Sequence, residues 1–182
     1  MFAFGIVVEG VYDEQVISAL VEKIFSKECR CLCRLTGGKS NLMKKFPGFL
    51  EEFRFNAVDK ALVVRDADRK LVDQLRDRME EKVLGRNYPF ALKFCVIKEE
   101  METWLLADEK AISRVAGKDI PRVSEDLENI EKPKEKLMQI LSRAKVNYTP
   151  EVARKIAEAV KPHTIEYRCP GFKAFRMSVL DC

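Results

Sequence analysis

A single histidine and a single tryptophan stand in 182 residues, so His163 is the one candidate for an imidazole base, and zinc hydrolase sites that need several imidazoles are excluded. Eight glycines and seven prolines are too few for a disordered or fibrous polymer. Long hydrophobic runs are also missing. The apolar opening Met1-Phe2-Ala3-Phe4-Gly5-Ile6-Val7-Val8 has no basic residue before it and reaches Glu9 too soon for a signal peptide or a membrane span, so a cytoplasmic, non-membrane protein is expected. Six cysteines in that setting are expected to be reduced. Charge is nearly balanced: the net +4 permits a nucleic-acid partner without requiring one.

What is present is 47% hydrophobic and 34% charged sequence, enough for one ordinary core and short of two. Residues 2–8 form a continuous, β-branched apolar run, the pattern of a strand buried on both faces. Beyond Glu9-Gly10, residues Val16, Ile17, Leu20, Val21, Ile24 and Phe25 recur at helical spacing. The same rhythm returns with strands expected at 29–35, 60–66 and 91–97, and helices expected from about 40 to 53, after Asp68 and after Glu99. Parallel strands joined by right-handed crossovers make a three-layer α/β sandwich. Past Asp108 the sequence becomes charged and helix-forming, with helices expected at 109–116, 134–144, 150–160 and around 172–180, and with His163 in a loop. The reading is an α/β core over residues 1–108 and a helical C-terminal extension over 109–182 packed on it as a single compact unit.

In an open parallel sheet, ligands bind beyond the carboxyl ends of the strands. Acids collect there: Glu9 after the first strand, Asp66 and Asp68 after the third, and Glu99, Glu100 and Glu102 after the fourth. Carboxylates brought together repel unless a cation neutralises them, and magnesium prefers hard oxygen ligands. If Asp66-Ala67-Asp68 stays extended, both aspartates leave on one side and reach a common ion. The plainer reading makes Asp68 the N-cap of a helix starting near Arg69.

The runs Val7-Val8-Glu9-Gly10-Val11-Tyr12-Asp13 and Val63-Val64-Arg65-Asp66-Ala67-Asp68 together resemble the TOPRIM signature, a glutamate motif followed by D-x-D. Residues 100–108, with Glu100-Met101-Glu102-Thr103-Trp104, and the later Tyr167-Arg168-Cys169-Pro170-Gly171-Phe172, resemble stand-alone TOPRIM-like proteins of the DUF4276 type, relatives of the overcoming-lysogenization-defect nucleases. The resemblance implies a TOPRIM-like sandwich around a parallel sheet of about four strands. It also implies a phosphoryl-transfer site dependent on Mg2+, with Mn2+ as a substitute. On that likeness Glu9 shuttles a proton or holds the metal, Asp66 and Asp68 are metal ligands, and Asp13 and Glu102 are the additional acids of the nuclease branch. Two ions about 4 Å apart would divide water activation and leaving-group stabilisation between them. The expected activity is a nuclease that cleaves phosphodiesters of a nucleic-acid partner. The ATPase domain that accompanies many such nucleases is absent from the sequence, which leaves that function, or targeting, to a separate protein partner. The alternative is a non-catalytic cation-binding or protein-interaction module of a defence or repair system.

Thr36-Gly37-Gly38-Lys39-Ser40 is not a P-loop, because Cys33 stands where the first glycine belongs. Gly10, Gly38 and Lys39 remain candidates for substrate contact, as do Arg69 and Arg168; an ordinary turn is the alternative at 36–38. Cys29, Cys31 and Cys33 alternate along one strand and read as small buried hydrophobes, and Trp104 reads as core packing.

Overall fold

Phe2–Val8 forms β1 at the centre of the sheet, where all but one of its residues are buried. Its two faces feed separate cores. Phe4, Ile6 and Val8 point to one side and Val7 to the other, following the two-residue period of a strand. The computed structural model describes residues 1–181, and Cys182, the last residue of the expected extension, lies outside the described residues.

From β1 the chain runs through α1 (Val11–Phe25) to β2 (Cys29–Leu35), then α2 (Lys39–Phe53), β3 (Lys60–Asp66), α3 (Val72–Glu81) and β4 (Ala91–Ile97). All strands are parallel, in the order β2-β1-β3-β4. Handedness then fixes the layers. The step from β1 to β2 runs one way along the sheet and the next two run the other way, so right-handed crossovers put α1 on one face and α2 and α3 on the opposite face. Val7 and Val63 accordingly pack with Leu42, Phe46 and Leu50 of α2 and Met79 of α3.

The helical C-terminal part returns to the α1 face. It comprises α4 (Glu102–Leu105), α5 (Glu109–Ala116), a single 3-10 turn, α6 (Pro133–Arg143), α7 (Pro150–Ala159), α8 (Pro162–Arg168) and α9 (Phe172–Leu180). One continuous core joins β1 and α1 to Leu141, Ile156, Ile165 and Phe172. Trp104 lies within it, its ring against Phe172 and Phe175. Buried Lys60 reaches α9 and donates to the Val179 carbonyl at 2.9 Å, placing a cation at the negative end of that helix. Among the described residues, no helix is long and apolar enough to cross a membrane.

Several expectations change. His163 lies in α8 rather than a loop, because Pro162 occupies the first turn, where its missing N–H has no role. Asp68 is not a helix cap: α3 starts four residues later, and Asp68 and Arg69 both take left-handed backbone angles. Cys29, Cys31 and Cys33 are only half-buried free thiols on an outer strand, with Cys33 Sγ 3.2 Å from Ser18 Oγ.

Candidate functional site

The carboxyl ends of β1 and β3 adjoin at the point where the strand order reverses, and there an open cleft of about 350 Å³ is found. Glu9, Asp13, Asp66, Glu100 and Glu102 line it, together with Lys39 and Lys134. Strand ends, a helix start and a loop far along the chain thus supply one acidic recess.

Glu9 follows β1 directly and is buried, and burial with the neighbouring Asp13 charge pushes its carboxyl up to about 7. Asp66 ends β3, and desolvation, reinforced by Asp13, Glu102 and Glu9, holds its carboxyl well above the usual range. Glu9 Oε1 and Asp66 Oδ1 are buried without hydrogen-bond partners among the described residues. Glu102 opens α4 and is also buried; Tyr148 Oη donates to its Oε1 at 3.0 Å, and Lys134 Nζ lies 3.8 Å away. Burial raises the Glu102 carboxyl as well.

The other expected residues separate into roles. Asp13 uses one oxygen to cap α1, accepting from the Gly10 amide at 2.9 Å, and its desolvated carboxyl is raised. Gly10 therefore has no free amide for substrate. The Gly37 and Gly38 amides both donate to the Glu9 carbonyl, each at 3.0 Å, so the glycine pair anchors the strand end rather than cradling a phosphate. Lys39 reaches the cleft and is ion-paired with Asp68. Asp66 lines the cleft and Asp68 stands at its rim: the Ala67 amide joins the Ile97 carbonyl, the chain turns left-handed, and Asp68 pairs with Lys39, its charge still raising the Glu9 and Asp66 carboxyls. Arg69 turns away to Glu131 at 2.5 Å. Arg168 is not brought to the cleft either; its guanidinium donates to the Ala107 carbonyl at 3.2 Å and to that of Val123, tying α8 to the core. Of the acids after β4, Glu99 faces another groove, while Glu100 accepts from the Lys134 amide at the start of α6.

Tyr12, Lys134 and Tyr148 form a wall that sequence reasoning missed. Lys134 Nζ sits 4.1 Å from the Tyr12 ring centroid, and Tyr12 Oη donates to the Tyr148 carbonyl at 3.2 Å. Tyr12 had a signal, since it lies inside the glutamate motif. Tyr148 had none, because nothing local ties it to an acid 46 positions earlier.

Among the described residues, no three His, Cys, Asp or Glu side chains stand as a ready-made metal shell. The donor chemistry nevertheless suits a hard cation: two partnerless buried carboxylate oxygens face a cleft where four buried or half-buried acids, Glu9, Asp13, Asp66 and Glu102, are held above their ordinary pKa.

Fold and cleft together define a parallel α/β domain with an acid-lined recess at its switch point. The chain belongs to the DUF4276 family, described as a domain of unknown function, which matches residues 8–179. A solved structure, the C-terminal region of the Burkholderia pseudomallei OLD protein, is similar over 97% of this chain and 98% of that one, with 15% identity and a TM-score of 0.48. No curated protein matches the chain.

Proposed function

We propose that the protein is a divalent-cation-dependent phosphodiester hydrolase acting on nucleic acid. The observation that carries this reading is the pair of partnerless buried oxygens, Glu9 Oε1 and Asp66 Oδ1, in a cleft that also holds Glu102. Desolvated carboxylates without donors are costly, and a fold retains such an arrangement when a cation compensates it. Glu9, Asp66 and Glu102 are the residues that would hold magnesium, and Asp68 joins them only by giving up Lys39. When bound, such an ion supplies positive charge to the phosphoryl oxygens and lowers the pKa of water.

The chain's own groups account for the remaining work. In the cation-free cleft the Glu9 carboxyl is held at about 7, so Glu9 is suited to taking and returning a proton near neutral pH where Asp66 and Glu102 hold the ion without it. Lys39, beside Asp68, and Lys134, beside Glu102, both line the cleft and orient the phosphate by charge. Tyr148 fixes one oxygen of Glu102 by donating to it and so holds the α4 start against the cleft.

The test is incubation of the full chain with end-labelled single- and double-stranded DNA and RNA, in Mg2+ or Mn2+ and in EDTA. Cleavage that needs the cation and is abolished in Asp66→Asn is expected. A second reading, a non-catalytic cation-binding or protein-interaction module, draws on the lysines already beside Asp68 and Glu102. Cation binding without turnover on any of these substrates would establish it and overturn the hydrolase.

A further inference from the structure

On the other side of Lys39 the cleft continues into a second groove, of about 390 Å³, between the start of α2 and α3. It is basic where the cleft is acidic. Lys39, Arg65, Lys70 and Arg78 line it, and it opens into a third recess bounded by Lys44, Arg78 and Lys82 with Glu81 as its one acid.

Arg65 is the unusual member. It occupies β3 one residue before Asp66, so the strand's alternation sends it to the α2–α3 face while Asp66 serves the cleft. Only 7% of it is exposed. Its one hydrogen bond runs from Nε to the Asp66 carbonyl at 3.4 Å; among the described residues neither Nη atom has a hydrogen-bond partner, and no carboxylate lies at ion-pair distance. Glu9 feels its charge only from further away. The Arg65 stem is buried while its unpartnered Nη atoms open onto the groove, an arrangement suited to an anion with several acceptor oxygens. The first turn of α2 carries no acid, and its leading amides have no intrahelical acceptors, so its positive end faces the same space through Lys39 and Ser40.

We propose that this groove binds a backbone phosphate of a single nucleic-acid strand, with Arg65 as its buried anchor, and that Lys70, Arg78 and Lys82 guide the strand away from the acidic cleft. This rests on the hydrolase reading for the identity of the ligand. Free phosphate shares the chemistry but would not use a basic track that continues from the groove into a further recess.

Binding of fluorescein-labelled dodecathymidylate, measured by anisotropy in EDTA, tests the groove without any cleavage. Arg65→Gln is expected to weaken binding about tenfold. Because a buried arginine matters to folding, the exposed double substitution Lys70→Glu with Arg78→Glu provides a second arm. It should weaken binding about tenfold or more and lower the salt dependence by roughly 0.7 per lost phosphate contact. Lys155→Glu, on α7 beyond the opposite face of the sheet, should bind as the parent does. Unchanged binding in the double variant overturns the proposal, as does equal weakening in Lys155→Glu. Displacement of the strand by inorganic phosphate at equal phosphate concentration also overturns it, assigning the groove to a small anion. Since no turnover is read, groove binding and the hydrolase reading fail separately.

Discussion

Glu9 Oε1 and Asp66 Oδ1 are both buried without hydrogen-bond partners among the described residues, at the carboxyl ends of neighbouring strands β1 and β3. The two acids repel one another, and each is desolvated. Asp66→Asn is therefore expected to raise the melting temperature of the metal-free protein. In the parent, Mg2+ at about 100 times its Kd adds about 2.7 kcal/mol, a rise of about 5–10 °C for a domain of this size. The variant should lose that response. Scanning fluorimetry in EDTA and in MgCl2 reads both effects, and an undiminished magnesium shift in Asp66→Asn removes the acid from the cation site.

Stability should depend on pH in a defined direction. The folded pKa of Glu9, about 7, lies above its ordinary value of 4.5, so the folded state holds the proton more tightly than the unfolded chain does. Its contribution is fully present below about 4.5 and is lost as pH rises through about 7. The raised Asp66 and Glu102 carboxyls act in the same direction. In EDTA the melting temperature should fall from pH 5 to pH 8, with the magnesium effect larger at pH 8. A flat profile would contradict the raised carboxyls.

The Tyr148–Glu102 hydrogen bond should be visible as coupling. Tyr148→Phe leaves a buried carboxylate oxygen without its donor, which costs about 1–3 kcal/mol. In a Glu102→Gln background the same change should cost less, and the double-mutant cycle by urea denaturation should give a coupling of about 0.5–3 kcal/mol. Additive losses would show that Tyr148 acts by packing alone.

Gly5 is a packing requirement within β1. A β-carbon there would stand 2.5 Å from Cδ2 of Phe53, inside the α2 core. Gly5→Ala should destabilise by about 1–3 kcal/mol, and Phe53→Leu in the same chain should recover part of the loss. Thermal or urea unfolding of the single and double variants measures it.

How much of this was legible in the sequence follows from the range of the forces involved. The unbroken apolar run of β1 and the helical spacing of Val16, Ile17, Leu20 and Ile24 are local patterns set by burial, and they announce a parallel α/β sheet. Acids at the ends of three strands are equally local, and the order of a parallel sheet obliges them to share one edge. Asp68 shows where local reading stops: an extended backbone places it beside Asp66 on a common ion, but the Ala67 bond to Ile97 turns the chain and Asp68 pairs with Lys39.

The sequence by itself determined the strand–helix alternation, the layered architecture and the gathering of Glu9, Asp66 and Glu102 at one rim, because periodicity and right-handed crossovers leave little choice. Only the tertiary structure decided which groups complete or leave that rim. Tyr148 and Lys134 arrive from the helical C-terminal part, Arg168 is drawn to the carbonyls of Ala107 and Val123, and the Gly10 and Gly38 amides are taken by Asp13 and the Glu9 carbonyl. Those outcomes depend on which donor meets which acceptor across distant segments, and no spacing along the chain records it.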